Sequence, residues 1–208
     1  MSFHPKMAYD ATFHKAARTL ADEGAAFVYT AEHRARLDEI ASRYPPTQKR
    51  SAVLPALYLV QRQQGYVTAS AMRHVAAILG ITPADVEDVV SYYTMFYTKP
   101  MGTFVLSVCR TLSCALNGAE RVTRAICQAL EIAPGQTDPT GTFTLLEVEC
   151  LGACDRAPVV MVNDAWHERL SSDDVGRLLE DLRTRGESAL SGCHHMIERG
   201  ASAKGEGR

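Results

Sequence analysis

Length, composition and charge exclude several classes of protein before any motif is considered. The chain has 208 residues, 46% of them apolar, which is typical of a folded protein with one medium core or two small ones. Its 22 Lys and Arg against 24 Asp and Glu give a formal charge of −2, so there is no electrostatic signature of nucleic-acid binding. We therefore expect no nucleic-acid partner.

The N-terminal residues and the longest apolar run argue against export and membrane insertion. Lys6, Asp10 and Lys15 interrupt the apolar residues near the N-terminus, so no signal peptide is expected. Residues 52–60 contain Pro55 and make up about half of the roughly 20 residues that a membrane helix needs. We expect no direct membrane insertion, and a reducing compartment in which paired cysteines favour metal binding over disulfides.

Residues 1–29 are loosely patterned and predict an N-terminal arm or a weak helix, whereas helical periodicity predicts a helical bundle domain over residues 30–98. The helices are expected at about 31–43, at about 51–64, between Thr68 and Gly80, and from Pro83. Each helix has one apolar stripe, which it can bury only against the other helices or against a neighbour.

From about residue 99 the pattern changes to alternating strands and helices, which predicts an α/β domain over residues 99–186. The elements are expected at 103–108 (strand), 116–130 (helix), 142–149 (strand), 158–162 and 165–169 (hairpin), and from Ser171 (helix). A βαβ crossover followed by a hairpin and a covering helix is the layout of a small thioredoxin-like domain. Residues 187–208, rich in Gly, Ser and charge, predict a flexible C-terminal tail.

Four of the six cysteines form two closely spaced pairs, each at the end of a predicted strand. The first cysteine pair is Cys109 and Cys114, and the second is Cys150 and Cys154. Because a crossover makes the two strands parallel, both pairs leave the same edge of the sheet and can meet. Iron–sulfur clusters need thiolate ligands, and two pairs suit the two irons of a [2Fe–2S] cluster.

The residues between the cysteines predict how the negative charge of such a cluster is balanced. Only Arg110 and Arg156 lie close in sequence, so the backbone N–H groups of residues 110–113 and 151–153 are the predicted donors. Gly152 can bring its amide close to a sulfur, or adopt a positive φ, with little strain.

Spacing alone leaves other interpretations open. A structural zinc site, in a zinc-stabilised interaction module, also takes four cysteines at short spacings. A catalytic dithiol fits less well, because thioredoxin-type chemistry uses C-x2-C at a helix N-terminus. Cys127 is predicted to be a small core residue of its helix, and Cys193-His194-His195 to be a solvated, adventitious metal site.

The sequence around both cysteine pairs contains distinctive residues besides the four cysteines. Residues 108–120 read VCRTLSCALNGAE and residues 148–164 read VECLGACDRAPVVMVND. These two segments resemble the E subunits of bacterial NADH-quinone oxidoreductase (respiratory complex I), a family within the thioredoxin-like [2Fe–2S] ferredoxins. The resemblance extends upstream through residues 64–66 and 90–96, and covers roughly residues 31–186.

The resemblance implies an electron-transfer subunit with one [2Fe–2S] cluster on Cys109, Cys114, Cys150 and Cys154. It implies a separate flavoprotein subunit that binds NADH and FMN, and other peripheral-arm subunits, on the cytoplasmic side of a bacterial inner membrane. The same module occurs in the diaphorase parts of NAD-linked hydrogenases and formate dehydrogenases, so the motifs separate these partners poorly. No G-x-G-x-x-G or P-loop follows a predicted strand, so this chain alone is not expected to oxidise NADH.

Overall fold

Two separate hydrophobic cores organise the chain, one on each side of the Pro100–Met101 bond. The structure is a computed structural model that describes residues 26–190. The first unit is helical and the second is α/β, which confirms the predicted fold class. Residues 1–25 of the predicted arm and 191–208 of the predicted tail, with Cys193-His194-His195, lie outside the described residues.

The helical unit is built from the helices α1 (Ala31–Ala41), α2 (Val53–Gln64), α3 (Ala69–Leu79) and α4 (Pro83–Tyr92). A 3₁₀ segment, Pro46–Ala52, precedes α2, so this helix begins later than predicted. The reason is local, since Ala52 at the junction has φ −84° and ψ 4°, which lies outside the α-helical region. Within the described chain, no helix is both long and apolar enough to cross a bilayer.

Threonine caps define where three of these helices begin. The Thr30 and Thr68 hydroxyls each accept a backbone N–H three residues further on. At α4 the cap is reciprocal: the Thr82 hydroxyl accepts from the Asp85 N–H, and the Asp85 carboxylate accepts from the Thr82 N–H at 2.9 Å. The apolar stripes that follow the caps are buried against one another, as their periodicity predicted.

The residues just before α1 are bound to the helical unit. The Phe27 and Tyr29 rings pack edge to face with centroids 5.1 Å apart. The Phe27 N–H donates to Ser70 Oγ, and the Tyr29 hydroxyl donates to the carbonyl of Ala56, both at 2.8 Å. The end of the predicted arm is therefore part of the core of this unit.

The α/β unit contains β1 (Phe104–Cys109), α5 (Leu112–Leu116), α6 (Ala119–Leu130), β2 (Phe143–Val148), β3 (Val159–Val162), β4 (Ala165–Glu168) and α7 (Val175–Arg185). The strand order is β2-β1-β3-β4, with β1 and β2 parallel and β3 antiparallel to both of its neighbours. The predicted crossover, hairpin and covering helix are all confirmed. The short helix α5 was not predicted.

The hairpin turn between β3 and β4 is tied to the start of β1. Asn163 has a φ of 51°, a left-handed conformation that asparagine tolerates in turns. Its side chain accepts the Val105 N–H at 2.8 Å and donates to the Thr103 carbonyl at 3.1 Å. The predicted Asn163-Asp164 turn therefore also fixes the hairpin against the strand that carries Cys109.

The first residues of the predicted flexible tail are ordered and follow directly after α7. Gly186–Ala189 form a 3₁₀ turn, and Ala189 and Leu190 pack against the core of the α/β unit. The Ser188 hydroxyl donates to the Arg185 carbonyl at 2.6 Å. The apolar side chains of Ala189 and Leu190 account for the difference, because they gain burial by continuing along the domain surface.

Candidate metal centre

Parallel pairing of β1 and β2 brings the two cysteine pairs to one edge of the sheet. Cys109, the last residue of β1, lies opposite Val148, the last residue of β2. The Arg110 N–H donates to the Val148 carbonyl at 3.0 Å and continues the pairing past the end of the strands. Cys150 follows two residues after Val148, so the predicted meeting of the two loops is confirmed.

The two pairs differ in burial. In the first pair, Cys109 and Cys114 are 2% and 3% exposed, and their thiols lie within hydrogen-bonding reach of each other. In the second pair, Cys150 and Cys154 are exposed, with their Sγ atoms 3.6 Å apart. Two thiolates on one tetrahedral metal with bonds of about 2.3 Å stand about 3.8 Å apart, so the second pair is already spaced as ligands of one metal.

Two hydroxyl groups of the first loop reach toward the second pair. Thr111 Oγ1 lies 3.2 Å from Cys109 Sγ and also within hydrogen-bonding reach of the Cys150 thiol. The Ser113 hydroxyl is within the same reach of the Cys154 thiol. Thr111 is the residue before the short helix α5, and Ser113 lies within that helix. The two cysteine pairs therefore face each other.

Backbone N–H groups donate to three of the four sulfurs, and the sequence predicted such donors in the two loops. The Gly152 N–H donates to Cys150 Sγ at 3.4 Å, and the Leu151 N–H donates to the Cys109 thiol. Gly152 has a φ of +81°, a conformation that other residues adopt only with strain. A third donor, the Val159 N–H to the Cys114 thiol, comes from the start of β3 and was not predicted.

Within each pair, one thiol ionises more readily than the other. Burial opposes ionisation of Cys109, but hydrogen bonds from the Thr111 hydroxyl and amide outweigh it and lower the pKa. Burial and the neighbouring Cys109 raise the pKa of Cys114 to about 11. The Gly152 N–H lowers the pKa of Cys150, and the nearby Cys150 raises that of Cys154. Metal binding displaces the remaining protons, since the thiolate is the ligand.

Both nearby arginines are paired with carboxylates. Arg110 contacts Glu149 at 2.9 Å, and Arg156 contacts Glu168 at 2.9 Å. Each guanidinium charge is therefore partly neutralised by its own acid. Negative charge held by the thiolates is balanced mainly by the N–H and hydroxyl donors described above.

The donor set fits a [2Fe–2S] cluster. Across residues 26–190, no three His, Cys, Asp or Glu side chains gather closely enough to hold a metal ion. The fit rests on the chemistry of the donors, since a [2Fe–2S] cluster needs two soft thiolates on each of its two irons and the four thiols form two pairs.

The other cysteine of the described α/β unit has a different environment. Cys127 is half-buried in α6 and packs against the core, as its predicted role requires. Burial raises the pKa of its thiol, which keeps it protonated. Sequence reasoning missed the hydroxyls of Thr111 and Ser113, because the short helix α5 beside them has no recognisable pattern in the sequence.

Comparison with known proteins places the chain in a family. The sequence profile of the thioredoxin-like [2Fe–2S] ferredoxins matches residues 37–183, and the chain belongs to that family. It is 39% identical to an E subunit of NADH-quinone oxidoreductase from Rhizobium meliloti (strain 1021), over 83% of this chain and 98% of that one. It is 41% identical to NADH-quinone oxidoreductase subunit 2 of Thermus thermophilus, over 78% and 93%.

A solved structure shares the fold. An NAD⁺-reducing [NiFe]-hydrogenase in its air-oxidised state matches with a TM-score of 0.56 at 20% identity. The match covers 64% of this chain and 23% of the hydrogenase chain. At this identity the likeness supports the fold of the described chain and nothing about its partners.

Proposed function

We propose that this chain is the electron-transfer subunit of an NADH:quinone oxidoreductase, and that it carries one [2Fe–2S] cluster on Cys109, Cys114, Cys150 and Cys154. The observation that carries the proposal is the facing arrangement of the two cysteine pairs at the ends of β1 and β2, with N–H donors around the sulfurs. Relatives about two-fifths identical over most of the chain are named as subunits of that enzyme, which supports the same assignment.

The proposed division of labour follows from the chemistry of the electron donor. NADH gives up a hydride, which is two electrons and a proton, whereas a bound [2Fe–2S] cluster takes up and returns one electron without transferring atoms. This chain therefore needs a partner that accepts hydride and releases single electrons. We assign that role to a flavoprotein subunit that binds NADH and FMN, with which this chain exchanges electrons.

In this role the thiolates fix the cluster, and the surrounding donors offset its charge. The surface around the two cysteine pairs then lies against the flavoprotein, because electron exchange requires the two centres to be close. Leu112 and Leu116 on α5 are 74% and 78% exposed beside Cys114, and would lose that exposure in the complex. Other peripheral-arm subunits complete the assembly, which is peripheral on the cytoplasmic side of the bacterial inner membrane.

The experiment is anaerobic mixing of the cluster-containing chain with NADH, followed by the visible absorbance of the cluster. We expect no reduction of the chain alone and rapid reduction once the purified flavoprotein subunit is added. Rapid reduction by NADH without the flavoprotein would refute the division of labour. An assembled pair in which NADH reduces the flavin but never the cluster would leave this chain a structural role only.

Two further assignments are separated by simple observations. The cysteine motifs leave open a diaphorase subunit of an NAD-linked hydrogenase or formate dehydrogenase, because the same module occurs there. The genes beside this one decide between these partners. A colourless protein with one tightly bound zinc and no acid-labile sulfide would instead show a zinc-stabilised interaction module.

A further inference from the structure

Thr111 occupies a helix-cap position, but its hydroxyl does not cap the helix. It is the residue before α5, with φ −76° and ψ 170°, and its side chain makes no capping hydrogen bond. Threonine at this position usually accepts a backbone N–H of the first turn, as the threonine caps of the helical unit do. The Thr111 hydroxyl is turned to a different partner.

That partner is a ligand sulfur. Thr111 Oγ1 lies 3.2 Å from Cys109 Sγ, and the Thr111 N–H donates to the same sulfur. The Cys150 thiol of the second pair is also within reach of the hydroxyl. Thr111 is half-buried, so water competes only weakly for these contacts. The contact with Cys109 Sγ is therefore the hydrogen bond that the Thr111 hydroxyl makes in place of a cap.

We infer that the Thr111 hydroxyl donates a hydrogen bond to the ligand sulfur of Cys109 and thereby raises the reduction potential of the cluster. The inference rests on the proposed function. A metal-bound thiolate has no proton to give, so the hydroxyl is the donor in this contact. Reduction adds one electron and no atoms, which increases the negative charge on the sulfurs. A hydrogen-bond donor stabilises the more negative state more strongly, so its removal makes reduction less favourable.

The test compares matched variants of the full-length chain with the cluster in place. Thr111→Val removes the hydroxyl and nearly keeps the shape, whereas Thr111→Ser keeps the hydroxyl. Thr184→Val is the control, because this exposed threonine on α7 uses its hydroxyl only within its own helix, toward the Glu180 and Asp181 carbonyls. The midpoint potential is measured by titration with dithionite and redox mediators, followed by electron paramagnetic resonance.

We expect the equilibrium constant for one-electron reduction to fall about fivefold to tenfold in Thr111→Val, where tenfold corresponds to about 59 mV. Thr111→Ser should stay near the wild type, and Thr184→Val should be unchanged. An unchanged potential in Thr111→Val, or an equal fall in Thr111→Ser, would overturn the inference.

A second variant, Thr111→Ala, covers the case in which valine is not accommodated. Loss of the cluster in both the valine and alanine variants, with retention in Thr111→Ser, would show that the hydroxyl only holds the loops together, and the inference would be wrong. Absence of acid-labile sulfide from the wild-type chain would instead refute the proposed function, so the two failures are distinguishable.

Discussion

Among the cysteines of the α/β unit, Cys127 differs from the two cysteine pairs because it lies within α6 and not at or just after the ends of β1 and β2. Serine substituted singly at Cys109, Cys114, Cys150 or Cys154 should lose or distort the cluster, since a hard oxygen replaces a soft sulfur ligand. Cys127→Ser is the control and should keep about two irons and two sulfides per chain, with a packing penalty of about 1 kcal/mol.

The readouts for this series are iron and sulfide analysis, and the paramagnetic resonance signal that appears on reduction. That signal is expected because one added electron gives the coupled iron pair an odd number of electrons, and therefore a half-integer total spin. Loss of the cluster in Cys127→Ser alone would show that the ligand assignment is wrong.

A second test at the scale of single residues concerns Gly152. Glycine is required there by the backbone conformation and not by lack of space for a side chain. A Cβ added at Gly152 would meet no atom within 4 Å, but the φ of +81° is unfavourable for alanine. Gly152→Ala should therefore lower the free energy of unfolding by about 1–2 kcal/mol. Gly176→Ala is the matched control, since Gly176 lies in α7 with equal space and no positive φ, and alanine there should add up to about 1 kcal/mol. Thermal unfolding of both variants measures the difference, and equal effects would contradict the argument.

At the scale of the elements, β4 carries a titratable group without a partner. Of the side-chain nitrogens and oxygens in residues 26–190, His167 Nε2 is the one that is buried without a hydrogen bond. Burial lowers the pKa of His167 below its usual 6.5. The unfolded chain therefore binds more protons as the pH falls through 6.5, so folded-state stability is complete above that pH and declines below it.

His167→Phe should remove this part of the pH dependence, because phenylalanine fills the site and does not titrate. The thermal midpoint of the wild type should fall further between about pH 7.5 and 5.5 than that of the variant. Trp166→Phe, at the half-exposed neighbouring position of β4, should keep the wild-type pH dependence. Equal pH dependence in the wild type and His167→Phe would show that another group is responsible.

Most elements could be predicted because their ends carry strong local signals. The Thr82 and Asp85 capping box and the left-handed Gly65 and Gly80 are examples in the helical unit. The helix α5 has five residues, too few for an apolar period, and its leucines are exposed, so nothing in its pattern distinguished it from a loop.

The cysteine pairs could be located from sequence, but some of their surroundings could not. The Cys114 thiol accepts the N–H of Val159, a residue far along the chain that arrives there because β3 pairs with β1. Strand order of this kind is set by tertiary packing and not by local spacing. The hydroxyl of Thr111 was missed for a related reason, since its contact with Cys109 Sγ depends on the backbone at the start of a helix that the sequence does not reveal.

At the scale of the whole molecule, each unit has a closed core of its own, so the α/β unit should fold and bind the cluster without the helical unit. A chain of residues 99–208 is therefore expected to be reddish, with the same iron and sulfide content and resonance signal as the full chain. Its association with the flavoprotein should be weaker, because a stable interface needs more than roughly 1,000 Å² and the helical unit would widen the contact. Co-purification measures this, and a colourless fragment would show that the cores depend on each other.

The two cysteine pairs are unequally buried. In the cluster-free protein, Cys150 and Cys154 are therefore the outer thiols, and Cys109 and Cys114 are the inner thiols. A reagent that approaches from solvent meets Cys150 and Cys154 before it meets Cys109 and Cys114. Iodoacetamide should therefore alkylate the outer thiols first. Oxygen in air should act there too, since the outer sulfurs, 3.6 Å apart, can close to the roughly 2.05 Å of a disulfide by giving up two protons and two electrons. Iron delivered from solvent should likewise reach Cys150 and Cys154 before Cys109 and Cys114.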